Sequence, residues 1–152
     1  MTESTKITFV ARRVGDVDDV TDLVAILFPG NANQQHAAAR ILLVLKAADA
    51  PVASLGEMER QYGVSRRTLQ RTRAKLARLG LIEYASALSS RYGGQQGWRL
   101  SGRMSTALRL LAEKVDHWRA DFRPERMEKD ERLVGMLGYP QGREMKRLTV
   151  GF

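Results

Sequence analysis

The segment between Gly63 and Gly80 restricts this chain more than any other. Gly63-Val64-Ser65 is a turn with three separate tasks. The glycine can take the left-handed backbone that ends a helix, the valine suits a core, and the serine can cap the next helix. From Arg66 to Leu79, Leu69, Thr72 and Leu76 recur at helical spacing, and Gly80 is the next stop signal. Two helices meeting across a short glycine turn are therefore expected. The second has a biased composition, with six basic residues and no acid between Arg66 and Arg78. Exposed helices gain from interleaved acids and bases, and like charges four residues apart destabilise them. Such a helix needs an apolar anchor on one side and an anion to relieve the other.

Periodicity separates the two sides. Leu69, Thr72 and Leu76 point inward with Arg73 close to them, while Arg67, Gln70, Arg71, Ala74 and Arg78 point outward. Lys75 lies at the outer edge, and Arg66 occupies the first turn. The net charge of +8 is concentrated around this helix. Residues 1–50 hold five basic and six acidic groups, residues 51–100 nine and three, and residues 101–152 eleven and eight. A local patch is what phosphates feel, so the placement says more than the total.

Several classes of chemistry find no support. The absence of cysteine excludes disulfides, thiolate metal sites and thiol nucleophiles. His36 and His117 are too few and too far apart to suggest a metal centre. There is no glycine-rich phosphate loop and no credible serine–histidine–acid set, so an enzyme is not expected and no cofactor or metal is implied. No run approaches the roughly 18 apolar residues of a membrane span. The opening Met-Thr-Glu-Ser-Thr-Lys lacks a basic region followed by an apolar run, so no secretory leader is expected. These features point to a cytoplasmic, nucleoid-associated protein without a membrane partner.

Along the rest of the chain, residues 6–10 alternate as a short strand would. Asp16 to Phe28 reads as a helix, with Val17, Val20, Val24 and Leu27 on one side and aspartates at its positive end, before Pro29-Gly30 breaks it. Asn33 would cap a helix from Gln34 to Ala48 with Ala38, Ile41, Leu42 and Leu45 inward. Ser54-Leu55-Gly56-Glu57 has capping-box spacing, opening a short helix from Leu55 to about Tyr62 with Leu55, Met58 and Tyr62 inward. Leu81 to Ala85 and Gly97 to Ser101 are strand candidates around a tip marked by Ser89, Ser90, Gly93 and Gly94.

The run Leu55-Gly-Glu-Met-Glu-Arg-Gln-Tyr-Gly-Val-Ser-Arg-Arg-Thr-Leu-Gln-Arg-Thr-Arg, followed by Leu79-Gly-Leu-Ile and the two strand candidates, resembles the winged helix-turn-helix superfamily. The resemblance covers roughly residues 33–123 and implies a mainly α fold with a small β wing and binding to double-stranded DNA. It places Ser65, Arg66, Arg67, Gln70, Arg71, Lys75 and Arg78 on a recognition helix. Arginine suits guanine O6/N7 and glutamine suits adenine N6/N7. In the wing, Arg91 is the candidate for the minor groove or a phosphate, with Tyr92, Gln95 and Gln96 beside it. Trp98 and Tyr84 read as packing residues rather than as a base-stacking platform.

After Ser101, Met104, Leu108, Leu111, Val115, Trp118 and Phe122 succeed one another at spacings of four and three, the a/d seam of a coiled coil about 27 Å long. This stripe is expected to pair two protomers. Dimerisation through a helix after the wing is common among winged-helix regulators that the chain resembles. Pro124 ends that helix or opens another, and Glu125 to Leu137 can form a short one; residues 138–152 read as an extended tail. The expected organisation is an N-terminal strand and helix extension (1–32), a winged helix-turn-helix (33–100), a dimerisation helix (101–123) and a basic C-terminal helix and tail (124–152). The function expected is that of a homodimeric, sequence-specific DNA-binding transcriptional regulator, a repressor or autoregulator. Plasmid or phage replication initiation or partition is the first alternative, and a winged-helix protein-interaction module without DNA binding is the second. A small-molecule effector leaves no motif.

Overall fold

The computed structural model describes residues 5–86 and 95–138. The chain falls into two compact units, residues 1–107 and residues 108–152. It is mainly helical, with one small antiparallel sheet. The elements in order are α1 (Ala11–Val14), α2 (Val20–Leu27), α3 (Ala32–Ala47), α4 (Met58–Tyr62), α5 (Arg66–Leu79), β1 (Ile82–Ala85), β2 (Gly97–Leu100), α6 (Arg103–Ala120) and α7 (Pro124–Leu137).

In the first unit α3 is the central element, packing against α2, α5 and β2. Ala37, Ala38, Ile41, Leu42 and Leu45 of α3 are buried. They meet Val24, Leu27 and Phe28 from α2 and its end, Leu55, Met58 and Val64 around α4, Leu69 and Leu76 from α5, and Ile82 from β1. The alanines let the neighbouring helices come close, and the branched side chains fill the space between them. The N-terminal segment thus belongs to this core; it is not a separate extension. The boundary between units falls after Ala107, several residues inside α6, rather than ahead of the 101–123 helix.

Local signals account for most helix ends. Asp19 and Asp22 cap α2 reciprocally: the Asp22 amide donates to Asp19 Oδ1 at 3.0 Å, and the Asp19 amide donates to Asp22 Oδ2 at 3.4 Å. Capping at Asp19 starts this helix later than the aspartate-rich run suggests. The Thr21 hydroxyl and the Asp22 amide hold the Asp19 carboxyl below the ordinary aspartate range. Asn31 rather than Asn33 caps α3, accepting from the Gln34 amide at 3.0 Å. Ser65 caps α5 as expected, accepting from the Thr68 amide at 3.1 Å. The capping box at Ser54 does not form. Ser54 Oγ accepts from the Gly56 amide at 3.1 Å, which closes a turn of its own and delays α4 to Met58. Residues 6–10 form no strand; the Thr8 amide donates to the Ile26 carbonyl.

The sheet pairs Ile82 with Leu100, Glu83 with Arg99, Tyr84 with Trp98 and Ala85 with Gly97. On its other side β2 meets Val52, whose amide and carbonyl each bond to Trp98 at 2.8 Å. This bridge ties the linker after α3 to the sheet. Gly97 is required by it. Its φ is +150°, and a Cβ there would lie 2.5 Å from the Val52 carbonyl oxygen and 2.6 Å from the carbonyl carbon. Glu83 and Arg99 pair at 3.3 Å across the strands, and Tyr84 meets Trp98 edge-on at 5.3 Å.

This packing sets the relative cost of changing two glycines. Gly97→Ala adds left-handed strain and a backbone clash, and should destabilise the chain by about 2 kcal/mol or more in urea unfolding. Gly63→Ala, with φ +64° and open space, adds only the strain and should cost about 1 kcal/mol. Equal losses would show that the Val52 bridge exerts no constraint. Thr72 is fully buried and its hydroxyl has no hydrogen-bond partner among the described residues. Thr72→Val should therefore stabilise the fold by about 1 kcal/mol; a loss of stability would contradict this assignment of the Thr72 hydroxyl.

Candidate nucleic-acid interface

Helix α5 is anchored by one face. Leu69, Thr72 and Leu76 are buried, and Arg66, Arg67, Gln70, Arg71, Ala74 and Arg78 are exposed, which agrees with the rotational phase expected from the sequence. Ser65 itself is exposed at the helix start, where its hydroxyl is used in the cap. Arg66, Arg67 and Arg71 make no ion pair or hydrogen bond among the described residues. These three guanidiniums carry like charge and have no counter-charge against them among the described residues.

The remaining cations of α5 have partners within the fold. Arg73 is half-buried, with its guanidinium 4.9 Å from the centre of the Trp98 ring. That contact makes Arg73 a structural residue and gives Trp98 its packing role. Lys75 is also half-buried, its Nζ 4.5 Å over the Phe28 ring. Burial lowers its pKa, and the nearby Arg78 charge lowers it further. An anion placed against Lys75 would oppose both effects. Arg78 Nε donates to Thr5 Oγ1 at 3.3 Å, which brings the N-terminal segment to the last turn of α5.

Between α5 and the first turn of α3 lies an open cleft of about 500 Å3, lined by Gln34, Gln70, Arg71, Ala74, Lys75 and Arg78. It groups two amides and three cations, a set able to bind an anion by charge and to read hydrogen-bonding edges by amide. Sequence reasoning does not single out Gln34. No local motif marks it; only the packing of α3 on α5 brings it beside Gln70. Arg91 and Tyr92 lie outside the described residues, while Gln95 and Gln96 are exposed just ahead of β2.

In the first unit Met104 is half-buried and packs against the core. The second unit has a different surface. Leu108, Leu111, Val115, Trp118 and Phe122 are all exposed, and neither α6 nor α7 holds a buried residue. The turn between these helices is closed by Arg123, which donates to both carboxylate oxygens of Asp121 at 2.9 and 2.8 Å. Those bonds are the main reason the Asp121 pKa falls to about 2. Trp118 Nε1 donates to Asp130 Oδ2 at 3.1 Å, joining α7 to this end of α6.

Among the described residues no group of histidine and acidic side chains is arranged to hold a metal, and no helix is long and apolar enough to cross a membrane. Comparison with protein-family models, with curated proteins and with solved structures found no match to this chain.

Proposed function

We propose that this chain is a winged helix-turn-helix protein that binds duplex DNA sequence-specifically, acts as a homodimer and regulates transcription. The observation that carries the reading is the outward face of α5, where Arg66, Arg67 and Arg71 stand unpaired beside Gln70 on a helix without acids. A helix of that composition is self-repelling in water, and a phosphate backbone relieves the repulsion. The short α4, the left-handed Gly63 and the Ser65 cap set α5 after a tight turn, as a helix-turn-helix requires. The small sheet after α5 occupies the place of a wing. In this reading Arg66, Arg67, Arg71 and Arg78 meet phosphates or guanine edges, and Gln70 reads adenine. Lys75 and Gln34 line the flank of the same surface. Two copies joined through the exposed 108–122 stripe would address two half-sites, and coupling raises affinity by about 10²–10⁴ without new contacts.

Binding should be strongly electrostatic. If a dimer neutralises about eight phosphates, log K should fall with log salt at a slope near −7, measured by fluorescence anisotropy on labelled duplex. A slope shallower than about −2 would show that the basic helix is not the binding surface. Reading and positioning should also separate. Gln70→Ala should relax the preference at one position per half-site, at a cost of about 1–3 kcal/mol in a selection on randomised duplexes. Arg67→Ala with Arg71→Ala should weaken all duplexes alike. An unchanged preference profile in Gln70→Ala would remove Gln70 from the reading face.

A further inference from the structure

The second unit presents a physical problem by itself. Residues 108–137 form two helices joined by a turn, and eleven of their large apolar side chains are between 46% and 77% exposed. They include Met127, Leu133, Val134 and Leu137 on α7 as well as the α6 stripe. Neither helix holds a buried residue, and a helix pair of this length is marginal without a partner. Together these side chains offer on the order of 1,000 Å2 of apolar surface, beyond the few hundred Å2 usual on a monomer. A stable interface uses about 800 Å2 from each partner, so the helix pair has enough.

The charge of the helix pair selects the occupant. Residues 1–107 hold fifteen basic and nine acidic residues, whereas residues 108–137 hold seven of each. The excess positive charge around α5 is thus absent from the helix pair. A neutral surface gains nothing from a nucleic acid or an anionic membrane, and it has no excess charge for an acidic or basic protein to complement. It can, however, meet a copy of itself without net repulsion.

The α6–α7 angle adds a shaped feature. Trp118, Phe122, Met127 and Val134 line a cavity of about 550 Å3, with Asp130 at its wall. Asp130 is a carboxylate in an apolar setting, but both its oxygens are engaged. Oδ2 accepts from Trp118, and Oδ1 lies 3.6 Å from Arg126 Nε. Arg119, Asp121 and Glu131 also line the cavity, but most of its surface is apolar and fits an apolar side chain.

We propose that α7 forms half of the self-association surface: two copies of the 108–137 helix pair associate through the apolar side chains of both helices, each placing some of them against the Trp118–Val134 cavity of the other. The inference rests on the homodimer part of the proposed function and extends it from one helix to two. Met127, Val134 and Leu137 are then interface residues equal in weight to Leu111 and Val115.

Sedimentation velocity of the full chain tests this across nanomolar to micromolar concentrations. The wild type should be a dimer at micromolar concentration. The double variant Val134→Asp and Leu137→Asp should raise the dimer dissociation constant at least 100-fold. Its far-UV circular dichroism and its affinity for a single half-site duplex should stay unchanged. Arg132→Asp, which adds an acid on the opposite side of α7, should leave association within threefold of wild type. If the double variant dimerises as tightly as wild type, the pairing runs through α6 alone and the inference fails while the dimer stands. If Arg132→Asp dissociates the dimer equally, the effect is one of charge and the apolar cavity is not the contact. A monomeric wild type at micromolar concentration overturns both the two-helix interface and the homodimer.

Discussion

The structure depends on burying one face of α5 while the other stays charged. Six cations on fourteen residues oppose the helix, and only the inner face offsets them. Leu69 and Leu76 share a core with Ala37, Ala38 and Ile41 of α3 and with Leu27 and Phe28, and Thr72 is buried on the same face of α5. Arg73 and Lys75 lie at the margin of that face and place their charges over the Trp98 and Phe28 rings, so even the flanks of the helix are held by aromatic surface. What remains outside is a cationic face on a rigid support. If α5 reads bases as proposed, such a support matters, because base reading requires side chains that start from fixed positions.

Fixing α5 takes three connections, each of a different kind. The Ser65 cap and the Gly63 turn set its beginning. At its far end, the Met104 amide donates to the Gly80 carbonyl at 2.9 Å, which brings the chain back to α5 after the sheet. The Val52–Trp98 bridge holds the sheet to the linker ahead of α4, and Gly97 permits the approach. The second unit obeys other rules. Its two helices hold equal numbers of acids and bases, keep their apolar side chains outside, and are joined by the Asp121–Arg123 turn and the Trp118–Asp130 hydrogen bond. One unit concentrates charge, and the other concentrates apolar surface.

The sequence is most legible where signals are local. The α5 helix begins and ends where its serine cap and terminal glycine place it, and its inward and outward residues obey the 100° periodicity. The two strands also lie within a residue of expectation. Errors arise where two local signals compete or where distance in sequence hides contact in space. Ser54 has capping-box spacing but closes its own turn, and Asn31 takes the cap that composition alone offers equally to Asn33. Residues 6–10 have strand alternation, but the described structure offers them no strand to pair with. Gln34 in the basic cleft and the turn of Met104 toward the core depend on tertiary packing, and no spacing rule reports either.

Contact between the outward face of α5 and duplex DNA is the central claim, and nuclear magnetic resonance tests it most directly. Isotope-labelled protein would be titrated with a short duplex at moderate salt. The largest shifts should fall on Ser65, Arg66, Arg67, Gln70 and Arg71, including the arginine side-chain Nε–H signals. Weaker shifts should reach Gln34 and Lys75, while Val134 and Leu137 stay unmoved. Shifts centred elsewhere in the chain, or none at saturating duplex, would contradict the claim.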